Sequence, residues 1–329
     1  MLKVAVIGVG SMGKNHARVF SDIKDVELVG VSDTNSEVVE NISKKFGCKG
    51  YTDYKEMLDI EKPDLVSIVV PTQLHKEVAF EVIGRNIHVL VEKPIAGNVE
   101  DGQAIIDLAK EKNVKLMIGH IERFNPAIIE LKKRLKNNEL GKVFKIDVNR
   151  VGPFPARIRD VGVVIDLAVH DLDMLRYITG AEAKRIYAET EKKIHTSNED
   201  LLKALIRLDD NSLCTLSIDW LTPTKIRKIV VTGEKGMFEA NYLTQELIFH
   251  QNAIVNSSDF NYSQMLTGVT EGAMTKFMIF KKEPLMSELQ HFVDCVRNDE
   301  DPLVSGDDGL IALDLAQKLI ESARDSKVL

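Results

Sequence analysis

At 329 residues the chain is longer than one hydrophobic core comfortably organises, so two domains are expected. Its 44% hydrophobic and 28% charged content is that of a soluble globular protein, and a net charge of −7 argues against general affinity for nucleic acid or for an anionic membrane. Three widely spaced cysteines, Cys48, Cys214 and Cys295, form neither a disulfide framework nor a zinc site, so inert thiols and no bound metal are expected. The start at Met1 lacks the length and flanks of a signal peptide, and no apolar run approaches membrane-spanning length, which predicts a cytoplasmic protein without membrane contact.

Leu2 to Gly8 is a short apolar run rich in β-branched residues and reads as a buried strand. It leads into GVGSMG, where Gly8, Gly10 and Gly13 have the spacing of a dinucleotide fingerprint. In that fingerprint the first glycine permits the turn, the second lets backbone approach a pyrophosphate, and the third lets helix pack closely on strand. A second strand, 26–32, ends at Asp33, twenty residues beyond Gly13. A carboxylate there would accept the ribose hydroxyls and repel a 2′-phosphate, which favours NAD and makes NADP the less fitting cofactor. The same residue would otherwise serve as the cap of the next helix.

Strands at 2–8, 26–32, 64–70, 87–91 and 114–118 alternate with helices at 11–22, 35–46, 53–60, 74–85 and 98–112. That alternation predicts an α/β Rossmann domain over 1–120, a doubly wound parallel sheet covered on both faces. Near 120 the pattern changes. Asn125-Pro126 reads as a cap and first helical residue, and the helix runs to a stop at Gly141. Strands at 142–150, 183–191, 200–208, 212–220, 226–232 and 236–240, with one helix at 165–179, predict a second, α+β domain over 121–329 with a large, mostly antiparallel open sheet. Residues 250–275 carry no readable pattern, and two C-terminal helices within 285–325 could pack back on the first domain.

In such sheets ligands lie beyond the carboxyl ends of the strands, so strand-end residues carry the chemistry. Glu92-Lys93-Pro94 closes the fifth strand, and the proline holds Lys93 out of a helix. A lysine there could meet a reacting oxygen or move its proton; it could equally pair with Glu92. In the second domain, DLAVHDLD places Asp166 and His170 four apart on one helix face, suited to proton abstraction from a hydroxyl or to a buried histidine satisfied by an aspartate. His120 and Arg123 fall at a strand-end crossover where substrate-facing groups are favoured, and His75 begins a helix where it could bind cofactor or the helix start. His16, on the first helix, carries no signal beyond packing.

Taken together, GVGSMG, Asp33, VPTQLH, EKP, GHIERFNP and DLAVHDLD resemble, in order and over nearly the whole chain, the glucose–fructose oxidoreductase and inositol dehydrogenase superfamily. The resemblance implies an NAD-dependent sugar dehydrogenase. Lys93 would contact the oxidised hydroxyl, and Asp166 and His170 would complete the catalytic group. Gly8, Gly10, Ser11, Met12, Gly13, Asp33, Thr72, His75, Glu92 and Lys93 would line NAD. It also implies a homodimer or homotetramer built on the second sheet. One departure is Pro71-Thr72, where members of the superfamily commonly read Thr-Pro.

RVGPFPARIRDVG, residues 150–162, reads as a loop holding Arg150, Arg157 and Arg159. Arginine forks suit the oxygens of a diphosphate, which a free polyol would not call for; a salt-bridged surface loop is the alternative. With GHIERFNP, the segment is similar to that of UDP-N-acetylglucosamine 3-dehydrogenases, whose product is UDP-3-keto-N-acetylglucosamine. The expected partner is thus a nucleotide sugar, bound by His120, Arg123, Arg150, Arg157, Arg159 and His170. Inositol or free-sugar oxidation and NAD-assisted glycoside cleavage are the rival activities.

Overall fold

The computed structural model describes residues 1–155, 161–194, 197–253 and 272–329. These form two compact units, one of Met1–Phe124 with Lys282–Gln317 and one of Asn125–Lys281 with Lys318–Leu329.

In the first unit, β1 (Leu2–Ile7), β2 (Val26–Ser32), β3 (Lys49–Tyr51), β4 (Leu65–Ile68), β5 (His88–Glu92) and β6 (Leu116–Gly119) form one parallel sheet in the order β3-β2-β1-β4-β5-β6. Between them run α1 (Gly13–Asp22), α2 (Ser36–Phe46), α3 (Tyr54–Glu61), α4 (His75–Gly84) and α5 (Val99–Lys112). Val4, Ala5, Val6, Leu65, Val66, Val89, Leu90 and Val91 are fully buried, because helices cover both faces of the sheet. β3 escaped the sequence reading: three residues at the sheet edge, two of them exposed, leave no apolar run. The strand order reverses between β1 and β4, which makes the carboxyl ends of those two strands the switch point where such sheets bind ligands.

This unit is completed by a 3₁₀ turn, Ile121–Phe124, and by α8 (Pro284–Asn298) with the first part of α9 (Gly306–Asp325). Helix α8 is anchored here by an ion pair between Arg18 and Glu283 and by Arg297, which donates to the carbonyls of Lys24 and Asp25.

The second unit holds α6 (Pro126–Lys136), α7 (Val169–Thr179) and an eight-stranded sheet. Its strands are β7 (Val143–Pro153), β8 (Ala183–Glu191), β9 (Leu201–Leu208), β10 (Leu213–Asp219), β11 (Leu221–Gly233), β12 (Gly236–Asn241), β13 (Glu246–Gln251) and β14 (Met274–Lys276). Their order is β14-β13-β12-β11-β7-β10-β9-β8, antiparallel throughout except for the parallel pair β7–β10. Strands β13 and β14 add to the predicted set, and β7 continues through Arg150 to Pro153. The start of RVGPFPARIRDVG is therefore strand rather than loop, since Val151 pairs with Ile226 and Pro153 with Leu221 on β11. Among the described residues no helix is long and apolar enough to cross a membrane.

The three thiols are free, and burial pushes Cys48 up to about 11 and Cys214 up to about 12, which keeps both protonated and unreactive at neutral pH.

Candidate active site

At the switch point the glycines divide their labour as the fingerprint requires. Gly8 has φ +86°, and a Cβ there would meet the Val69 carbonyl at the end of β4. A Cβ at Gly13 would run into the carbonyl oxygen of Gly8, so only glycine lets α1 start this close to β1. Gly10 is different. Nothing lies within 4 Å of where its Cβ would be, so its backbone faces open space that a pyrophosphate could enter. Ser11 and Met12 complete the turn, with Ser11 exposed and Met12 half-buried.

Asp33 is not the cap of α2. That cap is Asn35, whose Oδ1 accepts from the amides of Glu37 and Val38. The Asp33 carboxylate instead accepts from the Val9 amide at 2.9 Å and the Asn35 amide at 3.1 Å, which holds it against the glycine turn at the end of β2. Open backbone at Gly10, the free N-terminus of α1 and a fixed carboxylate at Asp33 fit a dinucleotide.

Beside the switch point, β5 ends at Glu92 and the Lys93–Pro94 peptide is cis. Lys93 is half-buried. The Glu92 side chain is buried: its Oε1 lies 3.1 Å from His16 Nε2 and its Oε2 accepts from the Lys93 amide at 3.1 Å. Burial pushes the Glu92 carboxyl up, but the His16 hydrogen bond and charge, the Lys93 ammonium and the Lys93 amide together outweigh it and hold the group below the usual carboxylate range.

His75 lies between two backbone carbonyls. Its ring is buried, with Nδ1 2.8 Å from the Pro94 carbonyl and Nε2 3.0 Å from the Val70 carbonyl. It ties the turn after β5 to the end of β4, and burial keeps it low enough to be neutral, so it donates to one of the two carbonyls. Thr72 sits half-buried in the 3₁₀ turn Thr72–Leu74 that precedes it.

Glu92 is paired in register with Gly119, so Lys93 and His120 are next to each other on adjacent strand ends. His120 is buried there. Arg123 binds groups within the first unit. Its Nη1 donates to the Leu303 carbonyl at 3.0 Å and its Nη2 pairs with Asp308 at 3.0 Å, so it secures the start of α9. Sequence reasoning could not see this partner, which lies 185 residues away.

In the second unit a π-helical turn, Val164–Ala168, runs directly into α7. It carries Asp166, half-buried, while His170 is the second residue of α7 and is buried. The predicted regular helix across both residues is thus corrected: a π turn closes hydrogen bonds over five residues, so a four-residue spacing falls short of one turn. Such turns cluster at functional sites. Arg150, expected to bind a diphosphate, is buried in β7. Its Nε and Nη2 donate to the two carboxylate oxygens of Asp171 at 2.6 and 3.0 Å, and its guanidinium lies 5.1 Å from the ring centre of Tyr242. Asp171, passed over in the sequence reading although it neighbours His170, anchors the start of α7 to the sheet. Arg157 and Arg159 lie outside the described residues.

Residues 2–120 match an oxidoreductase family described as an NAD-binding Rossmann fold, and residues 132–329 match the α/β C-terminal domain of the same family. The chain belongs to that family. A UDP-N-acetylglucosamine 3-dehydrogenase of Acidithiobacillus ferrooxidans is 28% identical over 90% of this chain and 88% of its own length. A myo-inositol 2-dehydrogenase of Thermotoga maritima is 26% identical over 99% of this chain and 98% of its own. The solved structure of the Acidithiobacillus ferrooxidans enzyme superposes with a TM-score of 0.87 at 26% identity, covering 98% of each chain. A Bordetella pertussis dehydrogenase in complex with NADH and UDP-GlcNAcA shares the fold, with a TM-score of 0.82 at 23% identity over 100% of this chain and 98% of its own. The protein is therefore an oxidoreductase of this family with an NAD-binding Rossmann domain.

Proposed function

We propose that this enzyme oxidises a ring hydroxyl of a nucleotide sugar, with UDP-N-acetylglucosamine going to UDP-3-keto-N-acetylglucosamine as the reading we favour. The observation that carries it is the half-buried Lys93 at the end of β5, with β4 between it and the strand that leads into a glycine turn whose backbone is open at Gly10. The similarity to the Acidithiobacillus ferrooxidans enzyme over nine-tenths of the chain supports the substrate class. NAD is preferred to NADP because the Asp33 carboxylate disfavours a 2′-phosphate. A bound NAD would supply the hydride acceptor for the carbon that bears the hydroxyl. Lys93 and His170 take and relay the hydroxyl proton, and Asp166 orients the His170 ring. His120 borders the sugar, and Arg157 and Arg159 meet the diphosphate. The enzyme works as a dimer or tetramer joined through the second sheet, where Phe144 and Leu205 are exposed.

A second reading, oxidation of inositol or a free sugar, draws on one specific observation: with Arg150 engaged by Asp171, one of the three arginines expected for a diphosphate is already occupied. The experiment is a scan for NADH formation with UDP-sugars against inositols and free sugars. NADH with UDP-N-acetylglucosamine and none with inositol supports the first reading; the reverse overturns it in favour of the second. Lys93→Met is expected to lower kcat at least about a thousandfold with NAD affinity nearly unchanged, and unchanged turnover removes Lys93 from the mechanism.

A further inference from the structure

Among the buried polar side chains of the first unit, one cluster lies next to the turn that carries Lys93. His16 on α1, Ser67 on β4 and Glu288 on α8 are fully buried, and Glu92 at the end of β5 nearly so. Polar groups in such a place cost free energy unless they are paired, so their pairing is informative.

The imidazole of His16 spans two strands. Nδ1 lies 2.8 Å from Ser67 Oγ and Nε2 lies 3.1 Å from Glu92 Oε1. An ionised Glu92 only accepts, so Nε2 donates to it, while Nδ1 shares its bond with the Ser67 hydroxyl, which can donate or accept. Serine, histidine and glutamate in a row form the order of a nucleophile triad. Ser67 is nevertheless sealed within the sheet, where no substrate reaches its hydroxyl, so nucleophilic chemistry is excluded.

Helix α8 supplies a competitor. Neither oxygen of Glu288 has a hydrogen-bond partner among the described residues, and burial, with Glu92 and Glu122 nearby, pushes its carboxyl well above the usual range. Burial disfavours a charge on Glu288, and the Glu92 carboxylate disfavours it further. The His16 donor stands against Glu92 alone, so Glu92 carries the charge and Glu288 keeps its proton. The other Glu92 oxygen then accepts from the Lys93 amide.

We propose that His16 is a positioning residue: wedged between Ser67 and Glu92, it holds the Glu92 carboxylate so that the carboxylate grips the Lys93 amide and fixes the turn from which the lysine side chain projects. The proposal rests on the reading of Lys93 as the group that meets the reacting hydroxyl. It does not require His16 to touch substrate or cofactor.

Two substitutions separate positioning from packing. In His16→Gln the side-chain amide nitrogen reaches the place of Nε2 and still donates to Glu92. In His16→Asn the shorter amide reaches only the place of Nδ1 and leaves Glu92 without its donor. The first readout needs no cofactor: hydrogen exchange at the Lys93 amide, resolved by residue with mass spectrometry on the whole chain. His16→Asn is expected to speed exchange at Lys93 about tenfold or more, with the amides of β1 and β4 unchanged, while His16→Gln stays within about threefold of the parent.

The second readout is turnover with the best substrate of the scan. His16→Asn should lower kcat about tenfold while KM for NAD moves less than about threefold, and His16→Gln should restore most of kcat. Exchange at Lys93 equal in His16→Asn and the parent overturns the proposal, and so do equal effects of the two variants. If His16→Asn does not fold, Ser67→Ala removes the other anchor of the ring and carries the same expectation of faster exchange at Lys93. A parent protein that oxidises no sugar refutes the proposed function alone, because the exchange measurement still decides the role of His16.

Discussion

Asp171→Ala removes the carboxylate that two nitrogens of the Arg150 fork share, at 2.6 and 3.0 Å. Arg150 is 4% exposed and Asp171 0% exposed, so water cannot replace the two lost bonds without opening the packing of α7 on the sheet. Breaking a buried pair by deleting one partner costs about 3–5 kcal/mol, because the remaining charge is left uncompensated. For a unit of this size each kcal/mol lowers Tm by roughly 2–4 °C, so a fall of about 6–20 °C is expected. The chain has one tryptophan, Trp220, buried in the second unit, and its fluorescence follows the unfolding of that unit in heat or urea without interference from the first. Replacing both partners, Arg150→Met with Asp171→Leu, should recover most of the loss, since apolar residues of similar volume often match or exceed a buried ion pair. A loss below about 1 kcal/mol for Asp171→Ala, or a double variant no more stable than the single one, would refute the argument that the pair is an interdependent buried unit.

Three further outcomes follow from the same structure. Burial pushes Glu288 well above the usual carboxyl range, so folding favours its protonated form; its contribution is fully present below the unfolded value and is lost as pH rises through the folded one. Urea midpoints at pH 5 and pH 8 should therefore show Glu288→Gln gaining on the parent at the higher pH, and parallel losses would contradict this. Gly10→Ala should leave stability within about 0.5 kcal/mol, since the new Cβ meets open space, yet weaken NAD binding about tenfold or more; Gly13→Ala should destabilise by about 1–3 kcal/mol by forcing Cβ against the Gly8 carbonyl. Melting curves and NAD titrations check both. Asp33→Asn keeps an acceptor for the Val9 amide and drops the charge, so the ratio of NAD to NADP affinity should shrink about tenfold, and an unchanged ratio would remove charge as the discriminator.

Both sheets, the glycine turn and the strand ends that face ligands are written into local sequence. Continuous apolar runs of four to seven residues, alternating with helical periods, specify a covered parallel sheet because every strand side chain must leave water. Gly8 and Gly13 are legible for a similar reason: backbone dihedral and helix approach are properties of the turn itself. Short edge strands such as β3 and β14 were invisible, since three residues with little burial leave no hydrophobic trace.

What only tertiary structure decided is the partner of each polar group. Arg123 reads as substrate-facing, Arg150 as a diphosphate binder and His75 as a cofactor contact or a helix-start group, whereas the partners the fold gives them are Asp308, Asp171 and two backbone carbonyls. His16, unremarkable on its helix, meets Glu92 across 76 residues of chain. Helix and strand preferences act between near neighbours, so they survive in the linear text. The demand that a buried charge or donor find its complement is met by whichever segment the packed sheet brings alongside, and no local pattern encodes that choice.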